Sequence, residues 1–221
     1  MNAGIIILVV AVIAAFGYIF GRRRALSLSA ASGKKLHSLP GYYGQTIALF
    51  AVVPSMLLLI VWLLGQPLLI ESRVSGMIPD SAIPDGGARS LVMADVRRIA
   101  EGLDAILAQG GLDEGELSSM RADFTNVRTR LAEVGIALGS DVPTQVFEAA
   151  KAFRQDAKTG NLIMTILVLG LSAGLALWSY RRITPQLRAR NVSESFVKAL
   201  LVAASTIAIL TTIGIVASLL F

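Results

Sequence analysis

The stretch RRRALSLSAASGKKLHSLPGYYG, residues 22–44, decides the fold of this chain. It carries five basic residues and no acidic residue, and it separates two apolar runs at residues 3–21 and 45–65. Short loops rich in Lys and Arg stay on the cytoplasmic side of a membrane because they resist translocation. Placing this loop inside the cell therefore sets the side of every later segment.

Apolar residues of the chain are concentrated in four runs, each near the roughly 20 residues that a helix needs to cross a bilayer. The chain has 221 residues, of which 54% are hydrophobic and 16% are charged, whereas soluble domains average about 25% charged residues. The third and fourth runs cover residues 161–180 and 197–221. We therefore predict an all-α membrane protein with four transmembrane helices.

Charged residues are divided according to the side of the membrane. Segments 22–44 and 181–198 together hold ten basic residues and one acidic residue, whereas residues 66–161 hold ten basic and fourteen acidic residues. The net charge of +5 is therefore a topology signal, and a nucleic-acid partner is not expected. We predict cytoplasmic loops at 22–44 and 181–196, with the N-terminus and the domain between the second and third spans on the outer side.

The predicted outer domain, residues 66–160, has the pattern of a small helical bundle. Asp113 and Glu116 have the spacing of a capping box at the start of its middle helix. The charged residues are expected to form a solvated face, and the third helix is expected to continue into the next span. The apolar stripe is expected to be buried within the bundle, with recruitment of a partner as the alternative. Apolar residues step by three and four in three stretches, the second of which favours a coiled-coil-like seam: Val92, Val96, Ile99, Leu103 and Ile106; then Leu117, Met120, Phe124, Val127, Leu131, Val134 and Leu138; then Val146, Ala150, Phe153 and Ala157.

No catalytic constellation is present in the sequence. It has no Gly-rich phosphate loop followed by Lys and Ser or Thr, no HExxH and no GxSxG. It has no cysteine and one histidine, His37, so a metal site is not expected. Apart from Lys198 at the start of the fourth, no Asp, Glu, Lys, Arg or His falls inside a predicted span, so no transport pathway is indicated. We predict a non-enzymatic protein with no cofactor and no catalytic or metal-binding residues, and substrate-binding residues remain unassigned.

Several polar and small residues have two possible roles. Tyr42 and Tyr43, at the start of the second span, are expected in an interfacial aromatic belt, or else in contact with another subunit. Gly170 and Gly174 have the spacing of a close helix–helix contact. Hydroxyls of the fourth span are expected to bond their own or a neighbouring helix, with the lining of a polar path as the alternative: these are Ser205, Thr206, Thr211 and Thr212.

Three stretches together resemble a known family. They are LHSLPGYYG at residues 36–44, the helical outer domain, and RRITPQLRARNVSESFVKALLVAASTIAILTTIGIVASLLF at residues 181–221. They are similar to the N-terminal region of the permease subunit of bacterial phosphate ABC importers, the PstC type, in the version with a membrane-anchored extension. The last span resembles the first helix of the permease core. The resemblance implies an inner-membrane subunit with a periplasmic outer domain, which works with a second permease subunit, a cytoplasmic ATPase dimer and a periplasmic phosphate-binding protein.

Part of that family's pattern has no counterpart here. The cytoplasmic coupling loop with an EAA-type sequence is absent, and the chain stops inside an apolar run at Phe221. We therefore expect a piece of a longer permease that serves assembly or docking and does not form the translocation path alone. Two alternatives are a membrane-anchored sensor or receptor input region and an assembly factor without a transport role. Residues 180–185 resemble the entry to a signalling linker, but the apolar run that begins about a dozen residues after Pro185 argues against the receptor, because such a linker would continue as cytoplasmic heptads.

Overall fold

A computed structural model of the chain describes residues 2–33, 35–80, 83, 88–110, 113–119, 132, 135 and 143–220. These residues form helices and no strands, and four of the helices are long and apolar enough to cross a membrane. The predicted all-α fold class with four spans is confirmed. The helices are α1 (Ala3–Ser32), α2 (Pro40–Ser75), α3 (Arg89–Ala108), α4 (Glu114–Ser119), α5 (Thr144–Arg181) and α6 (Ala189–Leu220).

Local sequence signals set the ends of the first two helices. The side chain of Asn2 caps α1 by accepting a hydrogen bond from the Gly4 backbone N–H at 3.4 Å. Gly33 ends the helix with a φ of 63°, a left-handed conformation that glycine adopts without steric cost. Pro40 occupies the first position of α2, where its missing N–H removes no helical hydrogen bond. Pro40 therefore starts a helix, whereas the dipeptide with Gly41 alone suggests a turn.

Helices extend beyond every predicted loop boundary. The described non-helical residues of the predicted loop 22–44 are 33 and 35–39, because the basic residues that end the apolar run also favour helix. Loop 181–196 likewise shrinks to residues 182–188. In α6, Arg190 and Glu194 form an ion pair at 2.6 Å one turn apart, which supports the helix before its apolar part begins.

The chain divides into two compact units within α2 and α5. Unit 1 comprises Met1–Ile60 and Thr165–Phe221, and unit 2 comprises Val61–Met164. In unit 1, Ala25, Tyr43, Ile47, Ile183 and Ala189 form a buried cluster. The basic segment before the second span and the basic segment after the third span thus contribute to one packed core.

Unit 2 is built on an apolar core that joins α2, α3, α4 and α5. All five predicted core positions of α3 are buried, which confirms the predicted helical spacing of its apolar residues. From α2, Ile70 and Val74 enter the same core. Their burial explains why α2 continues through Pro67 to Ser75, although breakers in this region suggest a loop that starts near residue 66. In α5, Phe147 is 1% exposed, and the helix runs without interruption into the span, as predicted.

The predicted coiled-coil seam falls mainly outside the described residues. Leu117 is buried in the core of unit 2. Met120, Phe124, Val127, Leu131, Val134 and Leu138 lie outside the described part of the chain. The seam therefore stays a prediction.

Candidate functional site

The segments that connect the spans of unit 1 meet at the basic end of this unit. The backbone N–H of His37 donates to the Pro185 carbonyl oxygen at 3.1 Å. The backbone N–H of Arg190 donates to the Ser38 hydroxyl at 3.3 Å. Segments 33–39 and 182–188 are therefore joined by hydrogen bonds, which places the two basic regions at one end of unit 1.

Tyr43 is the central side chain of this junction. Its ring is fully buried, and its hydroxyl donates to the carbonyl oxygens of Leu187 at 3.1 Å and Pro185 at 3.3 Å. The prediction of an interfacial aromatic belt is wrong for Tyr43, because its hydroxyl satisfies carbonyls of the chain itself. Tyr42, by contrast, is partly exposed.

We expect Tyr43→Phe to weaken the junction. The substitution keeps the ring and removes the donor from two carbonyl oxygens, so a loss of about 1 kcal/mol in stability is expected. The thermal midpoint of the detergent-solubilised chain measures it. Tyr42→Phe is the matched control because Tyr42 is partly exposed, and an equal effect of the two substitutions would contradict the role of the Tyr43 hydroxyl.

Two glycines of α1 and one of α2 permit close contact between these helices. A Cβ at Gly17 would lie 2.7 Å from Ile47 Cγ2, and one at Gly44 would lie 2.5 Å from the Tyr18 carbonyl oxygen. A Cβ at Gly21 would lie 2.6 Å from Ile47 Cδ1. Gly17 and Gly21 are four residues apart, so the close contact predicted for the third span is found instead between α1 and α2.

The predicted glycine pair of the third span lies in open space. A Cβ at Gly170 or at Gly174 would meet no heavy atom of the described residues within 4 Å. The prediction of a close helix contact there is therefore wrong within the described part of this chain. The spacing alone could not distinguish the two pairs, because it does not reveal which helix face meets a neighbour.

The threonines of α6 satisfy their hydroxyls within their own helix. The hydroxyl of Thr206 donates to the Val202 carbonyl at 2.8 Å. Thr211 and Thr212 do the same with the carbonyls four residues earlier, at 2.8 and 2.9 Å. The expected own-helix role is confirmed for these three residues, and their hydrogen bonds give no support to a polar path.

In unit 2, charged side chains of three helices form an ionic cluster. Arg154 of α5 contacts Asp104 of α3 at 2.5 Å and Glu114 of α4 at 2.8 Å, and Lys158 contacts Glu114 at 2.7 Å. The Arg154 side chain is only 12% exposed, so the prediction of a solvated charged face is wrong at this position. Hydrogen bonds from Arg154, then from Lys158, lower the pKa of Glu114 from 4.5 to about 2.

The cluster predicts an acid-sensitive unit 2. Because the pKa of Glu114 is lower in the folded chain, its stabilising contribution is present above pH 4.5 and is lost as the pH falls towards about 2. We expect Glu114→Gln to reduce the fall of the thermal midpoint across this range. The control Glu101→Gln removes an exposed carboxylate of α3 outside the cluster, and an unchanged acid transition in Glu114→Gln would contradict the prediction.

In unit 2, hydrogen bonds of Gln66 also connect α2 to α5. The Trp62 Nε1–H donates to Gln66 Oε1 at 2.6 Å, and Gln66 Nε2 donates to the Ala157 carbonyl at 3.3 Å. A Cβ at Gly160 would lie 2.6 Å from Gln66 Nε2, so the glycine allows this approach. Beside these residues lies a mostly apolar groove of about 430 Å³.

Among the described residues, no group of three or more His, Cys, Asp or Glu side chains is placed to hold a metal ion. The side-chain contacts described above are packing contacts, hydrogen bonds and ion pairs.

Comparison with models of protein families gives a match for this chain. Residues 7–177 match the model of a family described as "Phosphate ATP-binding cassette transporter". The match extends over most of the chain and takes in most of α1, all of α2, α3 and α4, and nearly all of α5. The chain belongs to this family.

Membership of the phosphate ATP-binding cassette transporter family implies a component of a multi-part transporter. The four long apolar helices agree with a multi-pass membrane protein. The match ends at residue 177, so α6 and the segment before it lie beyond the matched region. No curated protein and no solved structure matches the chain.

Proposed function

We propose that this chain is the N-terminal part of a permease subunit, of the PstC type, in an ATP-driven phosphate importer. The family match over residues 7–177 is the observation that carries the proposal. Apart from Lys198 at the start of the fourth, the predicted spans contain no Asp, Glu, Lys, Arg or His, which supports a role in assembly or docking rather than in forming the translocation path alone. The chain itself is non-enzymatic under this proposal, and ATP hydrolysis belongs to a partner.

The proposed location is the bacterial inner membrane, with the N-terminus and unit 2 in the periplasm. The charge of unit 1 supports this orientation, because its ten basic residues and one acidic residue all lie in segments 22–35 and 181–198. The hydrogen bonds from His37 to Pro185 and from Arg190 to Ser38 bring these segments to one end. Both basic regions can then lie at the same membrane face.

The proposed partners divide between the two faces. Unit 2, whose sequence has more acidic than basic residues, is suited to meet the second permease subunit or the periplasmic phosphate-binding protein. The cytoplasmic ATPase dimer engages the permease from the basic side. Under this proposal unit 2 serves assembly or docking, and phosphate is moved by the complete transporter.

Replacing residues 76–143 by a flexible linker within the full transporter tests this role. The change removes α3 and α4 but keeps the spans of α2 and α5. We expect insertion into the membrane to persist, while capture of the phosphate-binding protein or of the second permease subunit falls. The matched control is Leu91→Ala, an exposed position of α3. Undiminished capture of both partners would contradict the proposed role of unit 2.

A further inference from the structure

A groove at the basic end of unit 1 has the size and lining of a small-ligand site. It lies between the end of the apolar part of α1 and the start of α2, and its volume is about 390 Å³. This volume falls in the range of ligand sites, about 300–1,000 Å³. Its lining consists of Tyr18, Arg22, Leu39, Pro40, Gly41, Tyr42 and Gln45.

Polar groups of three kinds line this groove. Arg22 supplies a guanidinium with several donors in one plane, which suits the oxygens of a phosphate group. Tyr18 and Tyr42 supply phenol groups, and Gln45 supplies an amide. The Tyr18 hydroxyl lies near the α2 backbone, because a Cβ at Gly41 would be 3.6 Å from it. Donors from both helices therefore line the same groove.

The charge of the groove favours an anion. Residues 1–60 contain no Asp or Glu, and Glu194 is the single acidic residue in the rest of unit 1. The Glu194 carboxylate already binds Arg190 at 2.6 Å. The positive charge of Arg22 is therefore available to an anion from outside unit 1.

The position of the groove along the spans identifies the source of that anion. Arg22 directly follows the apolar run 3–21, and Gln45 begins the apolar run 45–65. Residues at such boundaries lie at the level of lipid headgroups, where tyrosines also concentrate. Basic sites between transmembrane helices at this level suit anionic headgroups.

We propose that this groove binds the phosphate group of an anionic phospholipid, with Arg22 as the charged contact and Tyr18, Tyr42 and Gln45 as donors. The ligand chemistry is that of a phosphate anion, and the lipid supplies it at the depth where the groove lies. The proposal is independent of the phosphate-importer assignment, because it rests on residues of unit 1 alone.

Retention of phosphatidylglycerol by the detergent-purified full chain, counted by native mass spectrometry, tests the site. Salt of about 0.5 M screens general attraction to basic residues. We expect Arg22→Gln to lower retention about tenfold. Arg23→Gln removes the same charge one residue away from the groove lining, and retention is expected to stay within about twofold of wild type. Gln45→Leu, which keeps the charge, is expected to lower retention by a smaller factor than Arg22→Gln.

Three further measurements complete the test. A thermal midpoint equal to that of the wild type shows that a variant is folded. If Arg22→Gln has a lower midpoint, Arg22→Lys takes its place, and a partial loss of lipid retention is expected for it. Phosphatidylcholine is expected to be retained less than phosphatidylglycerol. Inorganic phosphate is expected not to displace the lipid, and displacement that depends on Arg22 would overturn the lipid as the source. Equal losses in Arg22→Gln and Arg23→Gln, or no loss in either, would overturn the site itself.

Discussion

Phe147→Ala is expected to destabilise unit 2 by about 3–5 kcal/mol, the usual cost of truncating a buried phenylalanine. Phe147 is 1% exposed and belongs to the core that α2, α3, α4 and α5 share. Removal of its ring leaves a cavity that the surrounding helices fill only in part. Because the spans have their own contacts, the loss is expected within unit 2.

Hydrogen exchange of the full chain in detergent measures this effect. The amides of α3 are expected to exchange more than about 100-fold faster in Phe147→Ala, the factor that corresponds to a loss of about 3 kcal/mol. Leu91→Ala is the control, because Leu91 is 64% exposed on the same helix, and its effect should stay within about 0.5 kcal/mol. Unchanged α3 protection in Phe147→Ala would contradict the shared core.

Gly21→Leu combined with Gly44→Leu is expected to separate α1 from α2. A Cβ at Gly44 would lie 2.5 Å from a backbone carbonyl, and one at Gly21 would lie 3.1 Å from the Tyr43 carbonyl oxygen. Backbone atoms cannot move aside as a flexible side chain can, so the helices must shift. Overpacking of this kind costs about 1–3 kcal/mol at each site.

The thermal midpoint of the solubilised chain checks this second prediction. Gly170→Leu combined with Gly174→Leu is the matched control, since a Cβ at either position meets open space among the described residues. The control double variant is expected to stay near the wild-type midpoint. A control at least as destabilised as the α1–α2 variant would mean that the close contact lies on α5 after all.

The span positions could be predicted from the sequence because they depend on composition alone. A run of apolar residues near the length of a bilayer is a local property, and the four runs correspond to four long helices. The ends of these helices could not be predicted in the same way. Hydropathy marks where the membrane ends, whereas α1 continues to Gly33 and α2 to Ser75 for reasons of capping and packing.

Contacts between helices were the least predictable part of the candidate site. Gly17 and Gly21 have the same spacing as Gly170 and Gly174, and the two pairs are distinguished by the close approach of α2, through Ile47 and the backbone of Tyr43 and Gly44, to the first pair. Tyr43 resembles any aromatic residue at a span boundary until the carbonyls of Pro185 and Leu187 are placed beside it. Those carbonyls are more than 140 residues away in sequence, and no local pattern reports such a pairing. The periodicity of α3, by contrast, predicted its buried face correctly.

Cysteine labelling in cells is the most direct test of the central claim, that both basic segments face the cytoplasm and unit 2 faces the periplasm. The chain has no native cysteine, so single substitutions give a clean background. Gln145→Cys lies in unit 2, and Leu39→Cys and Gln186→Cys lie in the two basic segments, all at exposed positions. An impermeant maleimide added to spheroplasts is expected to label Gln145→Cys, and to label the other two only after lysis. Labelling of Leu39→Cys or Gln186→Cys in intact spheroplasts, with Gln145→Cys protected, would contradict the account.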